Sequence, residues 1–333
     1  MPTPQTNTTL TEIAELLMEL DDFVICGHVN PDGDCLGSQL ALYHALVKQE
    51  KNVTCVLAKN DKVDANLMFM PGMRKMIPAS EFTGTCKTFI AVDVPTKERL
   101  GDAAAIQEQA ETTITIDHHA VDSVMSEYSY TDADSPSASM LIWKVCRIMG
   151  MAIPRSAQCA LTGLITDTGR FAFQNTNSEA FRLAAEMMDA GADPVTISRE
   201  FFQNRSLPSL QLERILLDRM QFACEGKFVF SHLTKADFDE CNAVKADSEA
   251  LIDTLRSIRG VRVALILREN APGEIRGSMR AKDDDTDVAQ VARSFDGGGH
   301  KAAAGFTFHG SMEEALIEVP KTVNEMCFGG GAF

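Results

Sequence analysis

His28-Val29-Asn30-Pro31-Asp32-Gly33-Asp34 follows the apolar run Phe23-Val24-Ile25-Cys26 and precedes Cys35-Leu36-Gly37-Ser38 and an amphipathic run to about Gln49. The order reads as buried strand, tight turn, helix. Open α/β sheets place their ligand sites in turns at the carboxyl ends of strands. This turn carries one imidazole and two carboxylates, with Pro31 and Gly33 shaping the backbone between them. Taken alone it fits an ordinary acidic turn as well as it fits a metal site.

The same pattern recurs downstream. Thr88–Val92 is a buried-strand sequence that runs into Asp93, and Thr113–Ile116 is another that delivers Asp117-His118-His119. The apolar, helix-like run Pro154–Thr166 ends on Asp167-Thr168-Gly169. Between these lie a helix over Thr9–Leu20 with Thr11 as N-cap, a strand at Val53–Leu57, and helical stretches over Asp61–Met70 and Thr96–Gln109. A long helix from Ser135 to Ile148 and one capped at 176–179 that closes at Gly191 complete this part. Strands alternating with helices predict a parallel sheet flanked by helices.

The expected first domain is 1–190, followed by a linker and bridging helix over 191–222 (helix at Pro208–Phe222) and a smaller α/β domain over 223–333. That last part reads as strands at Lys227–Leu233, Val261–Arg268, Glu274–Arg280 and Phe306–Phe308. Helices are expected near Ser248–Ile258, Asp285–Arg293 and Met312–Met326, with a glycine-rich turn at Gly297-Gly298-Gly299-His300. The 333 residues have room for two such domains. No apolar run reaches the length of a membrane span and no secretory signal is visible. Nine scattered cysteines without CxxC pairs predict reduced thiols and a cytoplasmic protein. A net charge of −16 argues against a grip on long nucleic acid, which asks for a basic face.

His28, Asp32, Asp34, Asp93, Asp117, His118, His119 and Asp167 thus end apolar runs that a parallel sheet can bring to one edge. Gathered, they would repel or stay unsatisfied unless cations sat among them. Carboxylate mixed with imidazole suits Mn2+ or a related transition metal, and two ions side by side are the usual device for phosphoryl displacement. Each residue also has a bland reading, a helix cap or a turn acid for each Asp and a structural group for each His.

The chain resembles the DHH phosphoesterase superfamily, whose naming motif stands here as Asp117-His118-His119. Residues 28–34 resemble its first motif, Ala91-Val92-Asp93 its second and Asp167-Thr168-Gly169 its fourth, and Gly297–His300 with the alanines to Gly305 resembles the DHHA1 signature. The resemblance implies two divalent metal ions, most readily Mn2+, with Mg2+ or Co2+ as alternatives. One ion would sit on His28, Asp32 and Asp93, the other on Asp34, Asp93, His118 and Asp167. Asp117 would orient His118, and His119 would face the substrate phosphate as donor or acid. Arg280, Gly298, Gly299 and His300 would bind the far end of the substrate.

Within that superfamily the size and domain content are similar to the nanoRNase and pAp-phosphatase branch. Substrates would be 5′-phosphorylated dinucleotides and other very short oligonucleotides, or the 3′-phosphate of pAp. A soluble cyclic dinucleotide (c-di-AMP) phosphodiesterase and a non-catalytic nucleotide-binding protein are the alternatives, and homodimerisation is left open.

Overall fold

Thr9, not Thr11, starts the first helix, α1 (Leu10–Glu19): its hydroxyl accepts from the Glu12 N–H while the Glu12 carboxylate accepts from the Thr9 N–H. The computed structural model describes residues 3–60, 63–120, 124–283 and 285–330. The chain divides into two compact units, Met1–Asn204 and Arg205–Phe333.

In the first unit β1 (Phe23–Cys26) is buried throughout and leads into α2 (Gly33–Lys48). The helix starts earlier than the sequence suggests because Asp32 caps it, accepting from the Asp34 and Cys35 N–H groups. It is also not amphipathic, since fourteen of its sixteen residues are buried. There follow β2 (Val53–Leu57), β3 (Ile77–Pro78), β4 (Thr88–Val92), α3 (Ala104–Gln107), β5 (Thr112–Asp117) and β6 (Tyr128–Thr131). Then come α4 (Ala138–Ile148), α5 (Pro154–Asp167), α6 (Ser178–Asp189) and the short α7 (Pro194–Ile197).

The six strands form one parallel sheet in the order β3-β2-β1-β4-β5-β6. Both faces are covered, as a parallel sheet requires. Phe23, Ile25, Ile90 and Val92 pack into one apolar cluster with α2, α4 and α5, and Val24, Cys26, Phe89 and Ala91 into another with Leu100 and Ala103. The order reverses between β1 and β4, a topological switch point, where an open α/β sheet leaves a crevice at its carboxyl edge.

Several sequence expectations shift. The stretch 61–70 contains one 3-10 turn, Ala65–Leu67, before the left-handed Gly72; Asp61 and Lys62 lie outside the described residues. Thr96–Gln109 is broken at Gly101, whose φ of 54° ends the helical path, so only α3 is α-helical. The helix expected from Ser135 begins at Ala138, because Ser137 supplies the cap. The short β3 and β6 carry too few apolar residues to stand out in sequence. Asp167 ends α5, as the helix-like run Pro154–Thr166 implies.

The second unit opens with α8 (Leu207–Asp218), whose Leu212 and Leu216 are buried in its core. It continues with β7 (Gln221–Ala223), β8 (Phe228–Leu233), α9 (Lys235–Glu240), α10 (Leu251–Arg256), β9 (Val263–Ala271), β10 (Glu274–Ala281), α11 (Val288–Arg293), β11 (Gly298–His300), β12 (Ala303–His309) and α12 (Met312–Phe328). Its mixed sheet has the order β11-β12-β10-β9-β8-β7. The glycine-rich segment is therefore not an open turn. Gly298, Gly299 and His300 form an edge strand that pairs with Gly305, Ala304 and Ala303. Among the described residues no helix is long and apolar enough to cross a membrane.

Candidate metal centre

Two strand ends at the switch point supply the middle of the site. His28 follows β1, and Asp93 follows β4 in a left-handed conformation, φ 58°, with its N–H donating to the Ile116 carbonyl. A non-glycine residue held in that region is strained, and such strain concentrates where a side chain must be aimed. The side chain is 2% exposed. Its two oxygens face different neighbours. Oδ2 lies 3.5 Å from His28 Nε2, and Oδ1 lies 3.4 Å from His118 Nε2.

On the Oδ2 side, Asp32 Oδ2 stands 3.8 Å from His28 Nε2. Asp32 combines its bland and functional readings: Oδ1 caps α2 and Oδ2 faces the site. On the Oδ1 side, His118 Nε2 is also 3.8 Å from Asp34 Oδ2 and 3.9 Å from Asp167 Oδ2. The eight residues singled out at the ends of apolar runs are thus brought to one edge, with Asp93 shared between two groups.

Each imidazole is held by its other nitrogen. His28 Nδ1 lies 2.9 Å from the Val29 carbonyl and His118 Nδ1 lies 3.2 Å from the Ser135 carbonyl. A carbonyl only accepts, so both Nδ1 atoms carry hydrogen and both Nε2 atoms face the carboxylates. This corrects the expected role of Asp117. Its Oδ1 accepts from His119 Nδ1 at 2.8 Å, so Asp117 orients His119, and the Ser135 carbonyl orients His118. Adjacent residues leaving a strand end aim their side chains differently, and here it is the His119 ring that meets the buried Asp117.

Asp34 is held at the start of α4: Oδ2 accepts from the Ala138 N–H at 2.7 Å and Oδ1 from the Ser139 N–H at 3.0 Å. Sequence reasoning missed this, along with Ser135, Gly163 and Asn175. The Asn175 amide donates to Asp167 Oδ2 at 3.3 Å. A Cβ on Gly163 would lie 2.5 Å from Ser139 Oγ and 2.7 Å from Asp34 Oδ1. A glycine inside a helical pattern is the one signal that could have pointed there. Gly163→Ala should gain about 1 kcal/mol in helix propensity. It should lose about 1–3 kcal/mol to overpacking, so the net expectation is lower thermal stability and weaker metal binding, checked by melting with and without Mn2+. A raised melting point with undiminished Mn2+ binding would contradict the packing account.

The charges show why the site asks for a cation. Burial pushes the Asp34 carboxyl up to about 7, and the charge of Asp93 adds to this. Burial likewise raises Asp167 well above the carboxylate range. Burial opposes a charged His28, but Asp93 and Asp32 outweigh it and raise the ring to about 9. Burial also opposes a charged His118, yet Asp93, Asp167 and Asp34 raise it well above the histidine range. Asp93, which burial alone would raise, is held below the carboxylate range by His118 and His28. Protons therefore supply the missing positive charge when no ion does.

Asp93 Oδ1 and Asp117 Oδ2 are buried without a hydrogen-bond partner among the described residues. An orphaned carboxylate oxygen beside imidazole nitrogens fits a cation ligand. Ligand atoms about 2.1 Å from one ion stand roughly 3.0–3.5 Å apart, so separations of 3.4–3.9 Å need only a small contraction. A cation needs His28 Nε2 and Asp34 unprotonated, so binding should release protons and tighten as pH rises through 7 toward 9. Calorimetry in buffers of different ionisation enthalpy reads that release; a pH-independent affinity would contradict it.

The substrate residues expected in the second unit lie in its sheet. Arg280, on β10, donates from Nη1 to the Met279 carbonyl, and burial lowers its pKa. A Cβ on Gly299, at φ 140°, would lie 2.4 Å from the Ala303 carbonyl, so the hairpin there needs glycine. The backbone of His300 is part of β11.

Comparison with known proteins places these features in context. Residues 22–164 match the DHH family N-terminal domain and residues 227–327 the DHHA1 domain. A bifunctional oligoribonuclease and PAP phosphatase NrnA of Thermus thermophilus is 27% identical over 97% of this chain and 96% of its own. A protein of that same name from Mycoplasma genitalium is 28% identical over 89% of this chain and 92% of its own. The crystal structure of an exopolyphosphatase-related protein from Bacteroides fragilis superposes with a TM-score of 0.88 at 26% identity, covering 95% of this chain and 96% of that one.

Proposed function

This chain belongs to the DHH family of phosphoesterases and carries a DHHA1 domain, and on that premise we propose that it hydrolyses very short oligonucleotides and the 3′-phosphate of pAp. The observation that carries the reading is Asp93, one buried carboxylate whose two oxygens serve two ligand groups. Support also comes from the end-to-end match to relatives named for those two activities.

In this reading His28, Asp32 and Asp93 hold one divalent ion and Asp34, Asp93, His118 and Asp167 hold a second. Mn2+ is the preferred ion, because two imidazoles among the carboxylates favour a transition metal. Such ions supply a polarised water and neutralise charge on the phosphoryl oxygens. The protein supplies position. Ser135 and Val29 fix the two ligand imidazoles, Asp34 is pinned by the first turn of α4, and the burial of Asp93 keeps its charge undiluted by solvent.

His119, held through Nδ1 by Asp117, would face a phosphoryl or leaving-group oxygen and, as the imidazolium, donate to it from Nε2 as the P–O bond breaks. In the second unit, Arg280, Gly298, Gly299 and His300 would be the substrate-binding residues. Incubation with Mn2+ and pApA, pAp or c-di-AMP in parallel tests the assignment. Cleavage of pApA and pAp is expected; preference for c-di-AMP would transfer the chain to the cyclic dinucleotide phosphodiesterases, and binding without turnover would make it a nucleotide sensor.

A further inference from the structure

The two halves of the centre differ in their donors. The half around His118 offers oxygens from Asp34, Asp93 and Asp167 and one imidazole nitrogen, a hard set. The half around His28 is poorer in oxygen, because Asp32 spends Oδ1 on the α2 cap and is 61% exposed. What stands there instead is sulfur. Cys35 is fully buried in the first turn of α2, and ligand atoms of His28, Cys35 and Asp93 lie within 4.8 Å of one another. Gly27 makes the room: a Cβ there would stand 2.1 Å from Cys35 Sγ.

We propose that Cys35 is a fourth donor to the half held by His28, Asp32 and Asp93, one that a thiophilic divalent cation such as Zn2+ or Cd2+ engages and Mn2+ does not. The proposal rests on the metal-centre reading above and adds to it a ligand and a preference. A tetrahedral ion about 2.3 Å from sulfur and 2.1 Å from nitrogen sets those atoms about 3.6 Å apart, so atoms within 4.8 Å of one another close on it with a shift of about 1.2 Å or less. On coordination the S–H bond breaks, the proton passes to buffer, and the sulfur lone pair forms the bond to the ion. No oxidant or reductant is involved. A hard ion such as Mn2+ gains little from the sulfur and stays with the oxygens and imidazoles.

The test uses the full-length protein freed of metal and titrated with Cd2+ and, separately, with Mn2+. The wild type should show sulfur-to-cadmium charge-transfer absorption in the ultraviolet on binding Cd2+. Cys35→Ser and Cys35→Ala should lose that absorption and bind Cd2+ about tenfold or more weakly, with Mn2+ affinity and stoichiometry nearly unchanged. Retained Mn2+ binding shows that the variants are folded. Absorption that persists in Cys35→Ala, or that is absent in the wild type while Cd2+ binds, overturns the sulfur ligand and leaves the metal centre standing. Failure of the wild type to bind either ion sinks the metal-centre reading itself.

Discussion

Asp93→Asn is expected to lower turnover of pApA or pAp by a factor on the order of 10³ or more, about 4 kcal/mol of barrier, while the protein stays folded. Asparagine is the informative replacement. Position 93 has a φ of 58°, which asparagine tolerates, whereas alanine adds about 1–2 kcal/mol of backbone strain and would confuse lost chemistry with lost stability. Asp93 faces both ligand groups, so one substitution should weaken both ions together. Each of Asp32 and Asp167 faces one group only, and Asp32→Asn or Asp167→Asn should lower the affinity of a single ion. Mn2+ binding stoichiometry and turnover, measured on the same preparations, check this. Undiminished hydrolysis by Asp93→Asn would contradict the shared-ligand assignment.

His119→Ala should cost about 10²–10⁴ in kcat, the range for losing a positioned proton donor, with little change in metal affinity. Asp117→Asn should cost a large part of the same factor, because the carboxylate at 2.8 Å from Nδ1 sets which nitrogen of His119 carries a proton. The two losses should not add, since residues acting as a unit share one effect. Had Asp117 served His118 instead, Asp117→Asn would weaken metal binding and would compound with His119→Ala. The double variant, with kcat and Mn2+ affinity measured separately, decides between these outcomes.

Most of this architecture was legible in the chain. Phe23–Cys26, Thr88–Val92 and Thr112–Asp117 are unbroken apolar or β-branched runs, and each releases a histidine or aspartate at its carboxyl end. A parallel sheet collects such ends on one edge whatever its strand order. The helices were legible where apolar spacing met a cap or a proline, as at Pro154 and Asn177. Legibility failed at Gly101, which interrupts a helical composition with a left-handed residue, and at β3 and β6, whose short runs signal nothing until longer neighbours pair with them. It failed also at α2. A helix buried on nearly every side needs Gly37 beside Gly163 to let α5 approach, and a glycine inside a helical pattern does not say which neighbour it admits.

Local rules of spacing, turn chemistry and charge are written residue by residue, and they were enough to say which groups gather and that they would call for a cation. They say nothing of direction. That His118 turns its Nδ1 to Ser135, leaving Asp117 to His119, and that the first turn of α4 clasps Asp34 follow from segments 17 and 104 residues apart meeting in space. The sulfur of Cys35 comes to the same edge only because β1 and β4 lie side by side there. Such contacts follow from the packing of whole elements, which no short window of sequence contains.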